Sequence, residues 1–351
     1  MSDRKYDLIC MGRSSIDLYS NDSGAEFKHI TSFSSFVGGC PTNIAVGTRR
    51  LGLKTLLLTA VGEDPVGDFI LNFLQNEDVE SKFIPRKSGF RSSAVLLGIE
   101  PPDKFPLVFY RENCADFQLT MDDVDAVPIE EARAILVSGT GLSREPSRSA
   151  TIYAVEKARA AKVTVFLDLD FRADQWTNGP SADIRAYGVT VRSILNHVDF
   201  VIGTQEEIKA SMLKDKSFVQ VKDSKISAPE VSGNVEDGIE ALLKTGVKAV
   251  IEKRGAAGAI VHLPGGKSET APPFKVDICN VLGAGDAFAS GFIYGYLKGW
   301  NWAKCVRMGN AVGAIVVTRQ GCANFMPSET EALDFVSLHG GFTKESAGVP
   351  R

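Results

Sequence analysis

The feature that most constrains this chain is a rhythm of short apolar runs and amphipathic stretches. Residues 7–12, 54–62, 134–139, 163–168, 199–203 and 248–253 are nearly continuous in Val, Ile, Leu, Ala and Phe and are bounded by turn formers. Between them, 65–76, 147–161 and 236–245 carry apolar residues at helical spacing. Strands apolar on both faces, separated by amphipathic helices, predict an α/β fold with a mostly parallel sheet covered on both sides. In such sheets ligands bind beyond the carboxyl ends of the strands. Two stretches break the rhythm: 18–36 and 91–114 are rich in β-formers and turns with no helix between their strands. They predict a small sheet standing out from the body, placed to act as a lid. Residues 214–234 are polar and aperiodic and read as a surface loop. The residues after 340 read as a frayed tail.

Bulk properties exclude several functions. A formal net charge of -4, with no block of Lys and Arg, leaves no electrostatic footprint for nucleic acid. No stretch reaches the about 20 apolar residues of a membrane span, and the polar start of the chain lacks a signal-like apolar run. The six cysteines are scattered, without a CxxC pair or zinc spacing, so free thiols in a reducing, cytoplasmic compartment are expected. The four histidines are scattered too, which argues against a histidine metal site.

The chemistry concentrates in Gly283-Ala284-Gly285-Asp286, just ahead of a stretch with Phe288, Phe292 and Tyr296 at every fourth position. Backbone N–H groups of Gly283, Ala284 and Gly285 at a helix start form an anion hole, supported by the helix dipole. Asp286 in the same turn can meet a hydroxyl beside a transferring phosphate. Phosphoryl transfer needs both: compensation of developing charge, and a base for the nucleophile. The plainer alternative is that this stretch only caps a helix. Gly38-Gly39-Cys40-Pro41-Thr42-Asn43 precedes a second helical run. Paired glycines permit close approach to a ligand, and Asn43 offers donors and acceptors to hydroxyls; standing alone, the stretch reads better as an ordinary turn and N-cap.

With both motifs in this order, the chain resembles the ribokinase-like (PfkB) carbohydrate kinases from about Tyr6 to Phe335. Further stretches agree with the resemblance: Gly12 to Asp17, Asp168-Leu169-Asp170-Phe171-Arg172, and Glu252-Lys253-Arg254-Gly255-Ala256-Ala257-Gly258. The resemblance implies one three-layer α/β domain over 1–340 with the protruding lid strands, and a flexible tail at 341–351. It makes Asp286 the catalytic base and the amides of Gly283, Ala284 and Gly285 the anion hole. Asp17, Gly38, Gly39 and Asn43 would hold the sugar, and Lys253, Gly255, Gly258 and Asn310 the nucleotide. ATP and Mg²⁺ are the implied cofactors, with Glu207 or Glu206 ordering magnesium water; here Thr204 replaces the family's usual Asn. Asn280 and Val281 stand where the family commonly has Asp-Thr, which leaves a monovalent cation uncertain. Lid sheets of the family often meet in a homodimer.

Within the family, Gly12-Arg13-Ser14-Ser15-Ile16-Asp17, Phe109 to Asp116, and 167–172 with Trp176 resemble the subgroup that phosphorylates 5-dehydro-2-deoxygluconate in myo-inositol breakdown. An acid substrate is best held by a guanidinium, which can make paired charge-assisted hydrogen bonds. Arg13, Arg111 and Arg172 are candidates, with Asn113 a neutral contact and Asp170 beside Arg172; surface or structural ion pairing is the alternative for each arginine. The reaction implied is transfer of the ATP γ-phosphate to the 6-hydroxyl. The other readings are 2-keto-3-deoxygluconate kinase, a neutral-sugar kinase, and a non-catalytic sugar-binding regulator. Gly265-Gly266-Lys267-Ser268 imitates the end of a P-loop, but the earlier glycine is missing, so it reads as a turn. Trp300 and Trp302 read as core residues.

Overall fold

The computed structural model describes residues 4–100, 105–177, 183–215, 219–220 and 230–342. Eight strands form the main sheet in the spatial order Lys267–Ala271, Ala259–Leu263, Ala249–Lys253, Phe200–Thr204, Thr164–Asp168, Ala132–Ser138, Tyr6–Met11 and Thr55–Leu58. The six from Ala249–Lys253 to Thr55–Leu58 are mutually parallel, and the remaining two form an antiparallel edge.

Alternation along each strand builds two cores. Leu8, Cys10, Leu57, Leu136 and Phe166 face one side with Ile44, Phe288, Phe292 and Val312. That side is covered by the helices Cys40–Arg50, Pro65–Asn76, Ala284–Leu297 and Trp302–Val317. Ile9, Met11, Leu56, Val137 and Leu167 face the other side, under Ser147–Ala160, Arg185–Ile194, Gln205–Ser211 and Val235–Lys244. The result is the expected three-layer α/β body, because a strand buried on both faces must be apolar at every position.

A separate four-stranded sheet carries Phe33–Gly38, Ser15–Ser20, Ser93–Leu97 and Leu107–Tyr110 in that order. Its inner face has its own apolar cluster of Tyr19, Val95, Leu97, Ile99 and Phe105. Its first strand begins at Ser15, earlier than the composition marked, so Asp17 belongs to this small sheet. A short 3-10 turn, Phe27–His29, interrupts the first of the two predicted stretches.

Other boundaries shift for identifiable reasons. Residues 54–62 are not one strand: Thr55–Leu58 stays in the main sheet, while Val61–Gly62 pairs with Arg86–Lys87. Val219–Gln220 pairs with Glu230–Val231 inside the segment read as a loop; 216–218 and 221–229 lie outside the described residues, as does the expected tail beyond Phe342. Gly265 and Gly266 turn the hairpin between Ala259–Leu263 and Lys267–Ala271, with φ of 78° and 75°. Trp302 packs in the core against Phe292 and Tyr296. Among the described residues no helix is long and apolar enough to cross a membrane.

Candidate active site

Because the strands Tyr6–Met11, Thr164–Asp168, Phe200–Thr204 and Ala249–Lys253 run parallel, their carboxyl ends share one edge of the sheet. Arg13, Asp168 to Arg172, Thr204 to Glu207 and Lys253 therefore gather there. The small sheet leans over the same edge and closes a cavity lined by Arg13, Asp17, Gly39, Asn43, Asp170, Arg172, Gly283 and Asp286. Val95, Leu97, Leu107 and Phe109 line it from the small-sheet side.

Asp286 lies in the first turn of Ala284–Leu297. Its Oδ2 accepts from Asn43 Nδ2 at 2.7 Å. Burial pushes its carboxyl above the usual range, the nearby Asp170 adds to this, and the Asn43 hydrogen bond opposes it. Gly283 starts the helix at φ 80°, and a Cβ there would fall 2.1 Å from Cys322 Sγ, so only glycine fits this turn. Ala284 departs from the expected anion hole: its N–H donates to Val281 O at 3.2 Å. The N–H groups of Gly283, Gly285 and Asp286 meet no acceptor among the described residues. Helix-terminal donors left open in this way suit an incoming anion.

Asp17 and Asn43 reach the cavity from opposite elements. Ser15 Oγ donates to Asp17 Oδ1 at 2.6 Å, and burial raises the Asp17 carboxyl to about 6 despite the nearby Arg13. Gly38 contributes by lacking a side chain, because a Cβ there would lie 1.9 Å from Asp17 Oδ2. Gly39, at φ 107°, brings the helix start against Arg13, whose carbonyl oxygen would be 2.4 Å from an added Cβ. Asn43 Oδ1 is buried without a partner, an acceptor open to a hydroxyl donor.

Beside the same helix start, Lys253 Nζ lies 3.1 Å from Asp168 Oδ2 and 3.7 Å from Glu207 Oε2. Burial alone would lower the Lys253 pKa, but these carboxylates overcome it and keep the ammonium charged. A Cβ on Gly285 would sit 3.3 Å from this Nζ, so the lysine reaches the helix start directly. Arg172 pairs with Asp170 at 3.0 Å and stands 3.9 Å from Glu207. Four carboxylates, Asp168, Asp170, Glu207 and Asp286, thus gather around Lys253 and Arg172, with Arg13 acting on Asp170 from farther off, a cluster whose carboxylates suit a divalent cation. Among the described residues no three His, Cys, Asp or Glu side chains form a direct metal site.

The remaining sequence candidates stand apart from the cavity. Arg111 is buried against Asp116, Nε to Oδ2 at 2.8 Å, and donates to Gln175 Oε1. Asn113 is exposed, in a left-handed turn at φ 53°. Glu206 pairs with Lys209 and accepts from the Val231 N–H, facing away from Lys253. Gly255 and Gly258 form an exposed-to-buried turn at φ 55° and 81° after Lys253. Asn310 lies behind that turn and donates to Ala271 O at 3.2 Å, bracing it from the core side. Three contributors were not singled out as site residues by the sequence: Ser15, which stood only within the Gly12–Asp17 stretch and links Arg13 to Asp17; Cys322, which shapes the Gly283 turn; and Tyr19 on the cavity wall.

A lid sheet over the carboxyl edge of a parallel sheet, with a carboxylate at a glycine-opened helix start, defines a sugar kinase. The sequence matches the pfkB family carbohydrate kinases over residues 5–329, and the chain belongs to that family. A curated relative, the 5-dehydro-2-deoxygluconokinase of Geobacillus thermodenitrificans, is 33% identical over 331 residues, covering 94% of this chain and 93% of its own. Two solved structures share the fold. One, from E. coli, is assigned as ribokinase II in complex with ATP and Mg²⁺ (TM-score 0.81, 20% identity, 95% of this chain and 100% of that one). The other is a fructokinase double mutant from Vibrio cholerae with fructose, ADP and potassium ion (TM-score 0.79, 22% identity, 95% and 99%).

Proposed function

We propose that this protein transfers the γ-phosphate of ATP to the 6-hydroxyl of 5-dehydro-2-deoxygluconate. The observation that carries the reading is Asp286: a partly buried carboxylate at a helix start with open N–H donors, on the wall of a cavity that also presents Asp17 and Asn43. The names of the curated relatives supply the substrate.

Asp17 and Asn43 bind and orient the sugar hydroxyls. Asp286 accepts the proton of the 6-hydroxyl as its oxygen bonds to the γ-phosphorus. The bond from that phosphorus to the β–γ bridging oxygen breaks, and ADP leaves with the electron pair. Lys253 and the N–H groups of Gly283 and Gly285 take up the charge that develops on the phosphoryl oxygens. Mg²⁺, when bound with ATP, would neutralise part of the triphosphate charge, and Glu207 and Asp168 would be the carboxylates to hold its water. The small sheet, closing over the cavity, excludes water and limits ATP hydrolysis.

The test is coupled ADP release with ATP and Mg²⁺, comparing 5-dehydro-2-deoxygluconate, 2-keto-3-deoxygluconate, fructose and ribose. The first is expected to give the highest kcat/KM by a wide ratio. A win by another sugar would discard the substrate while keeping the catalytic assignment; no turnover with any of them would favour a sugar-binding regulator.

A further inference from the structure

Each buried guanidinium needs a compensating charge, since an isolated buried cation is costly. Arg111 has Asp116, and Arg172 has Asp170 and Glu207. Arg13 has none. It is only 9% exposed and lines the cavity, yet among the described residues no carboxylate lies within ion-pair distance of it. One hydrogen bond holds it, from Nη1 to Ser15 Oγ at 2.7 Å, and Ser15 passes the interaction on to Asp17. A guanidinium has five N–H donors, so most of Arg13's donors are unspent, and the one in use goes to a neutral hydroxyl. The Phe109 ring, 5.5 Å away, covers it from the small sheet and keeps water off one face.

The anion it would receive is not the triphosphate. Lys253 and Arg172 are the cations acting on Asp286, at the transfer end. Arg13 lies instead in the connection between Tyr6–Met11 and Ser15–Ser20, where the small sheet joins the body. A six-carbon acid phosphorylated at C6 carries its carboxylate at C1, the opposite end of the chain. We infer that Arg13 is the specificity-determining residue that binds the substrate carboxylate through its unspent N–H groups, while Arg172 braces Asp170 and Glu207. This rests on the proposed sugar-acid substrate. Ser15 is the positioning residue: it orients Arg13 and Asp17 together, coupling recognition of the acid to recognition of the hydroxyls.

The experiment is steady-state kinetics of wild type, Arg13→Gln and Arg13→Lys with 5-dehydro-2-deoxygluconate and with its neutral C1 amide. Wild type is expected to prefer the acid. Arg13→Gln should lose about 100-fold in kcat/KM for the acid, chiefly through KM, and less than about threefold for the amide. Arg13→Lys, which keeps the charge and can keep the Ser15 contact, should fall between and serves if the glutamine variant does not fold. A parallel loss for acid and amide, or an unchanged acid KM in either folded variant, overturns the role of Arg13 alone. A wild type that prefers the amide or neutral sugars overturns the sugar-acid reading and the inference with it.

Discussion

Asn43 Nδ2 donates to Asp286 Oδ2 at 2.7 Å across 243 residues of sequence. The bond joins the helix after the early glycine pair to the helix after the late one, so the two helix starts that face the cavity are held as one unit. It stabilises the ionised form of a carboxyl that burial and Asp170 otherwise push up.

That opposition predicts a pH effect. With Asp286 as the proposed base, which must be ionised, kcat/KM should fall as pH drops through the Asp286 pKa. Asn43→Ala removes the contribution that lowers this pKa and should move the acidic limb to higher pH. Asp286→Asn should cost about 10²–10⁴-fold in kcat while the protein still binds sugar. A pH–rate profile of the Asn43 variant, with ADP release and sugar titration for the Asp286 variant, checks both.

Asp17 predicts a trade of stability for function. Its folded pKa, about 6, lies above the model-peptide value of 3.8, so the folded state holds the proton more tightly. Stability is therefore lost as pH rises from about 4 to about 6 and stays lower above that. Asp17→Asn cannot ionise and should be more stable than wild type at pH 8, by on the order of 2 kcal/mol, with sugar KM raised. Urea unfolding at pH 5 and pH 8 tests the sign: the gain should shrink at the lower pH.

Gly283 predicts a backbone effect. Gly283→Ala places a Cβ at φ 80° against Cys322 and should destabilise by about 1–3 kcal/mol. Because the same turn aims the open N–H groups, kcat should fall more than sugar affinity. Denaturation and kinetics on one preparation separate the two effects.

Lys253→Met strips the cation from Asp168 and Glu207. Leaving buried Asp168 without its partner should cost about 3–5 kcal/mol, and Asp168→Asn in the same chain should recover part of it. A double-mutant cycle by chemical denaturation measures this, with ATP KM expected to rise in both variants.

The three-layer fold was legible from the apolar strands, because burial on both faces leaves no position free to be polar. Asp286, Gly283, Asn43 and Gly39 were legible as well, since helix starts and positive-φ turns restrict residue type locally. The arginines were not. Arg13, Arg111 and Arg172 are alike in a sequence, and only packing shows that Asp116 pairs with one and Asp170 with another, while the third has no carboxylate within ion-pair distance among the described residues. The same holds for Glu206 and Glu207, adjacent on one helix yet pointing to Lys209 and to Lys253. Local chemistry, helix starts and sheet burial are written along the chain itself. Which charge meets which depends on contacts between distant residues, which come into being only when the chain has folded.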